Sequence, residues 1–126
     1  MNKWNNKGWG YDTDFYRGSK WRKVRKQYIE ENPICELCAQ YDIVSEGEYV
    51  DHIIPRRFCK EMEYDKRNLQ TLCGDCHNKK TALERGIDSL EVYLEEMREG
   101  RLKYICKSEK SIILIKVDGF YVNFAF

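Results

Sequence analysis

Apolar residues recur at helical spacing in two parts of the chain. Trp21, Val24 and Tyr28 fall at i, i+3 and i+7, while Arg22, Lys23 and Lys26 point elsewhere, which predicts a helix over Ser19–Glu31. Asn32-Pro33 stops it. Leu90, Tyr93, Leu94 and Met97 make a second stripe, in a helix opened by Asp88 with Glu91 three residues on, and ended by Gly100. Between the two, residues 41–54 predict two short strands joined near Ser45-Glu46-Gly47-Glu48. The second strand, 49–54, holds β-branched residues and ends at Pro55. A helical turn is expected over 60–64. A further helix is expected to start at Asp75 or Cys76 and to stop at Gly86. The tail changes character: two β-prone runs, 112–117 and 120–124, flank Asp118-Gly119 and predict a β-hairpin. Residues 1–16 show no period and read as a draped arm.

Composition narrows the setting. A chain of 126 residues fits one domain with a modest core, where bound metal helps stability. The longest wholly aliphatic run in the tail, Ile112-Ile113-Leu114-Ile115, is far short of a membrane span, and the first residues lack the apolar stretch of a signal peptide. A cytoplasmic protein is therefore expected. Net charge is +1, so bulk charge decides nothing about partners. Its distribution is more informative: six basic residues crowd into 17–26, and Arg56, Arg57, Lys79 and Lys80 flank the motifs below. This local basic surface suits phosphate, although a solvated helix face has the same composition.

Cysteine use changes the picture further. Cys35 and Cys38 form one C-x2-C pair, and Cys73 and Cys76 form a second. In a reducing compartment this spacing points to one tetrahedral structural zinc rather than to disulfides. Iron–sulfur ligation and a redox pair are the competing readings. A closed four-thiolate site has no open position, so that ion would be a staple and not a catalyst. Cys59 and Cys106 have no partner at ligand spacing and read as small apolar residues.

The loop closed by these pairs carries the chemistry. The chain has two histidines, and both lie in or beside it: His52 after Asp51, and His77 directly after Cys76. Phosphodiester hydrolysis needs a water made nucleophilic, a counter-charge for the phosphorane and help for the departing oxygen. Neutral imidazole accepts a proton near neutral pH, and a divalent ion held by one carboxylate and one imidazole keeps positions open for phosphate. Asp51 and His52 are neighbours on a strand, so their side chains leave opposite faces unless the strand end is distorted.

Val50-Asp51-His52-Ile53-Ile54-Pro55, Asn68-Leu69-Gln70-Thr71-Leu72-Cys73 and Cys76-His77-Asn78-Lys79-Lys80-Thr81 resemble the three segments of the HNH endonucleases. The likeness runs from Phe15 to Leu83, and the entry Phe15-Tyr16-Arg17-Gly18-Ser19-Lys20-Trp21-Arg22 is similar to the phage and prophage branch. It implies an α+β fold: a ββα-metal finger core with a structural four-cysteine zinc site, an N-terminal basic helix, a C-terminal helix and a tail β-hairpin. The division implied is an arm over 1–16, the nuclease domain with its zinc knuckles over 17–86, and an extension over 87–126.

The same resemblance makes His52 the general base and Asn68 the middle motif residue, hydrogen-bonding across the loop. It makes Asp51 and His77 ligands of a catalytic divalent ion. Thr81 stands where some members have another histidine, which favours magnesium or manganese over tightly held zinc. The implied activity is metal-dependent cutting or nicking of DNA with low sequence preference. Arg56, Arg57, Lys79 and Lys80, with Arg22 and Lys26 on the first helix, are the expected phosphate contacts. Implied partners are DNA and, from the phage branch, terminase or other packaging proteins, for a monomer or weak dimer without membrane association. The alternative is a non-catalytic zinc-stapled module that binds DNA or protein. It explains the cysteines and the basic helix, but not why both histidines, an aspartate and an asparagine stand at these intervals.

Overall fold

The computed structural model of this chain describes residues 13–102 together with the backbone of 112–117 and 120–125. Helix α1 (Thr13–Arg17) leads through Gly18 into α2 (Ser19–Glu31), which Asn32 caps by donating its backbone N–H to the Tyr28 carbonyl. The α2 boundaries are those expected from its stripe and from Asn32-Pro33. Residues 13–16 are helical rather than part of a draped arm; residues 1–12 lie outside the described residues. Phe15, Tyr16 and Trp21 pack their rings together, which gives that short helix a tertiary reason to form.

The expected hairpin over 41–54 is replaced by another pairing. Strand β1 (Tyr49–His52) pairs antiparallel with β2 (Leu69–Leu72), in a register that sets Asp51 opposite Gln70 and His52 opposite Leu69. Residues 41–48 instead form the outer part of a cysteine knuckle, with one isolated bridge between Ile34 and Glu46. Asp42 there takes a left-handed backbone conformation, φ 60°, which ends any extended run. Gly47 lies so close to Pro33 and Thr71 that a Cβ would meet the Thr71 methyl at 2.2 Å. The four residues of β2 are all buried. A strand buried on both faces shows no alternation, so periodicity gives no sign of it.

Helix α3 (Glu36–Ala39) is the single turn of the first knuckle, and α4 (Gly74–Glu84) begins at the second. The loop between β1 and β2 carries 3₁₀ turns at Lys60–Met62 and Lys66–Asn68, the first of them where a helical turn is expected. Helix α5 (Leu90–Arg98) has the predicted stripe, but its cap is Ser89, whose hydroxyl accepts from the Val92 N–H, and not Asp88. Gly100 follows with φ 77°, a conformation that glycine adopts without a Cβ penalty. Strands β3 (Ile112–Val117) and β4 (Phe120–Ala125) form the expected antiparallel hairpin. Its turn residues, Asp118 and Gly119, and Cys106 lie outside the described residues.

Among the described residues, three apolar clusters hold the helices and the β1–β2 pair. Trp21, Tyr28, Val50 and Leu69 fasten α2 to the strand pair. Cys35, Leu37 and Leu72 pack beneath the knuckles. Ile53, Ile54, Cys59, Met62, Ile87, Tyr93, Leu94, Met97 and Leu102 join the loop after β1 to α5, so one core crosses Gly86.

Candidate active site and metal centre

Among the described residues, Cys35, Cys38, Cys73 and Cys76 place their sulfur atoms within 4.8 Å of one another. Cys38 Sγ lies 3.8 Å from Cys73 Sγ and 3.7 Å from Cys76 Sγ. Four thiolates arranged tetrahedrally around an ion at about 2.3 Å have edges of about that length, so the donor set fits a metal. Burial and the neighbouring sulfurs push the Cys76 thiol far up, which is the protonation that a bound dication reverses. The knuckle is tied to the sheet through Glu36, whose carboxylate accepts from the Thr71 N–H at 2.7 Å and from the Tyr28 hydroxyl at 2.7 Å. Glu48 does the same for α4 by accepting the Gly74 N–H at 2.9 Å.

The two faces of β1 divide the remaining candidates. Val50 and His52 face α2, and Tyr49 and Asp51 face α4. Asp51 and His52 therefore do leave opposite faces of the strand. The His52 ring, 3 % exposed, stacks on Trp21 at 4.9 Å with Phe15 and Tyr16 at 6.0 and 6.3 Å. Its Nε2 lies 2.9 Å from the Glu63 carbonyl oxygen. A carbonyl only accepts, so Nε2 carries the proton and the lone pair of the neutral ring sits on Nδ1. Burial pushes the imidazole below its ordinary value, against the opposing pull of the Glu63 carbonyl, which keeps the ring neutral near pH 7.

Asn68 is wholly buried and holds the turn that follows β1. Its carboxamide oxygen accepts from Ile54 N at 2.9 Å, and its nitrogen donates to Ile54 O at 3.1 Å and to Met62 O at 3.4 Å. Its backbone carbonyl accepts from Ile53 N at 2.7 Å. One asparagine thereby spans the loop from the end of β1 to the start of β2.

On the other face, Tyr49 stacks on the His77 ring at 4.1 Å and 11°. Two residues along the same face of β1, the Asp51 carboxylate meets Lys80, one helical turn after His77 on α4, at 2.8 Å. It also accepts from Gln70 at 3.3 Å. Asp51 and His77 therefore stand on the facing sides of β1 and α4, over the same stretch of the interface. Behind them, Lys80 is 1 % exposed and donates to the His52 carbonyl at 2.8 Å and to Glu84. Tyr93 donates to the Ile53 carbonyl and approaches Glu84 at 3.1 Å. Burial pushes the Glu84 carboxyl above the usual range despite the ammonium beside it.

Of the residues expected to meet phosphate, Arg22, Lys26 and Lys79 are exposed. Lys80 is not available for that role, because its ammonium is enclosed by Asp51, Glu84 and the His52 carbonyl. Arg57 also turns inward, donating to the Glu84 and Ile87 carbonyls at 2.9 and 3.1 Å over the Phe58 ring. Arg56 is half-buried, paired with Glu63 at 2.6 Å and stacked over Phe15 at 4.0 Å. Sequence reasoning missed Tyr49, Glu63, Gln70 and Glu84 around the site. The i, i+4 spacing of Lys80 and Glu84 is the signal that was available for the last of these.

The HNH endonuclease family matches residues 35–83. This segment begins at the first knuckle cysteine and ends within α4. Among solved structures, the HNH endonuclease of the deep-sea thermophilic bacteriophage GVE2, crystallised with manganese ion, is similar at 29% identity and a TM-score of 0.57. The match covers 68% of this chain and 95% of that one. No curated protein gives a significant match. Residues 35–83 thus match the HNH endonuclease family, and the fold is similar to that of a phage HNH nuclease.

Proposed function

We propose that this protein is a metal-dependent DNA endonuclease in which His52 is the general base and Asp51 and His77 hold the catalytic divalent ion, magnesium or manganese. The observation that carries it is the 2.9 Å contact between His52 Nε2 and the Glu63 carbonyl, from which the tautomer follows. With Nε2 engaged by Glu63, Nδ1 is left to take the proton of an attacking water. The water oxygen then bonds to phosphorus, the P–O3′ bond breaks, the departing O3′ takes a proton from solvent water, and a 5′ phosphate and a 3′ hydroxyl remain. A bound divalent ion would supply charge stabilisation to the phosphate and to the departing oxygen. Asn68 keeps the His52 strand end and the following loop in register, as its bonds to both backbone groups of Ile54 require. The four-cysteine cluster takes zinc in this reading and stays out of the chemistry, since its donor set closes a tetrahedron.

Arg22, Lys26 and Lys79, all exposed, are the side chains we assign to phosphate contact, with Arg56 at the edge of the site. Binding of this kind is salt-sensitive and reads little sequence. A setting beside DNA-packaging proteins such as terminase is the further part of this reading, and it rests on the phage-type resemblance of the sequence. The enclosure of His52 by three aromatic rings favours a second reading, a non-catalytic module in which that histidine only packs.

Supercoiled plasmid decides between them. The purified protein should nick it with added magnesium or manganese and stop on addition of EDTA, and His52→Ala should lose cleavage while keeping its thiolate-bound metal. Full activity in His52→Ala would refute the assigned base, and inactivity of the wild type with every divalent ion would support the module.

A further inference from the structure

Lys80 is the most enclosed charge in the described part of the molecule, and it touches both halves of the active site. Its ammonium meets three acceptors: Asp51 Oδ2 at 2.8 Å, the His52 carbonyl at 2.8 Å and the Glu84 carboxylate. Three acceptors match the three N–H bonds of an ammonium, so its position is set on every side. Asp51 Oδ2 is further bonded by Gln70, which commits that oxygen to the protein and leaves Oδ1 as the one to be offered to an ion. Glu84 lies 3.1 Å from the Tyr93 hydroxyl, whose proton goes to the carbonyl of Ile53, the residue after His52. Glu84 and Tyr93 both lie beyond residue 83, where the family match ends.

Burying a lysine among these groups is costly, and a buried ion pair by itself is weak evidence of stabilisation. An apolar residue of similar volume would fill the same space. What the ammonium adds is direction. It fixes the carboxylate rotation of Asp51 and the backbone at the end of β1 at once.

We propose that Lys80 is a positioning residue of the divalent-ion site, orienting Asp51 toward the ion, and that Glu84 with Tyr93 of α5 holds Lys80 in place. This rests on Asp51 and His77 being the ion's ligands. Outer groups that orient a metal ligand are worth about 10–100-fold in metal affinity or activity.

The test reads manganese binding to the full-length protein with its thiolate-bound metal in place, by titration calorimetry, without DNA. Lys80→Met should raise the manganese dissociation constant by about 10–100-fold. Because that variant leaves Glu84 buried without its cation, Lys80→Met/Glu84→Leu supplies the decisive arm, replacing the pair by apolar side chains that restore melting temperature. The double variant should still bind manganese weakly. Affinity equal to wild type in the double variant would mean that Lys80 only fills space, and would overturn the proposal. Tyr93→Phe should give a smaller weakening in the same direction. Asp51→Asn separates the two levels: if it binds manganese as the wild type does, the ligand assignment fails and the Lys80 role falls with it. If it binds weakly while the Lys80 variants bind normally, only the Lys80 role fails.

Discussion

His52 concentrates the conflict between packing and chemistry at this site. Enclosure by Phe15, Tyr16 and Trp21 keeps its ring neutral, and one backbone carbonyl selects the tautomer that leaves Nδ1 to accept a proton. Burial also links this residue to stability. Its folded value lies below the unfolded one, so the unfolded chain takes up the proton first as the solution is acidified. The stability tied to His52 is present above about pH 6.5 and declines as pH falls from there toward the lowered folded value. Removing one wall of the enclosure should act on the chemistry. Phe15→Ala, which opens the ring to water, is expected to move the acid limb of the cleavage pH profile upward, toward the ordinary imidazole value. An unmoved limb would mean that desolvation by Phe15 does not set the titration of the proposed base.

At the scale of elements, two short pieces of chain do more than their length suggests. The C-x2-C knuckles bring α3 and the start of α4 together beneath β2, and Glu36 and Glu48 bond the same region through backbone N–H groups. A domain this small depends on such a staple, so Cys35→Ser, or removal of the thiolate-bound metal by a strong chelator, should unfold it. Circular dichroism with metal analysis checks this, and full secondary structure in metal-free protein would contradict it. The strand pair shows where local signals stop. The β2 segment Leu69-Gln70-Thr71-Leu72 carries no period-two alternation, and the hairpin expected over 41–54 gave way because residues 41–48 are drawn into the knuckle by Cys35 N–H to Ser45 O at 2.8 Å and Gly47 N–H to Pro33 O at 2.9 Å. Which strand pairs with β1 is a choice between segments far apart in the chain, and no short window contains it.

Over the molecule as a whole, the loop after β1 and helix α5 share one core. Ile53, Ile54 and Met62 pack with Tyr93, Leu94 and Met97, so α5 supports the residues that follow His52 even though it lies outside the family match. Met97→Ala, at a site 5 % exposed, should cost about 2–5 kcal/mol in chemical denaturation. A loss well under that would show that α5 packs loosely on the loop.

The residues proposed for the chemistry could be picked out in the sequence because their signals are short. Paired cysteines on tight turns, an aspartate–histidine step, an asparagine and a histidine after a cysteine each occupy a few contiguous positions, and helix α2 announces its own ends. Burial was not legible in the same way. Lys80 beside Lys79 and Arg57 beside Arg56 are indistinguishable as sequence. Only the fold encloses Lys80 and directs Arg57 onto main-chain carbonyls, where β1, Glu84 and Ile87 supply acceptors that water would otherwise provide. Charge type is a local property and its environment is not. The sequence by itself therefore determined which groups this candidate site contains, and the tertiary structure decided which of them stay exposed and which are buried holding others in place.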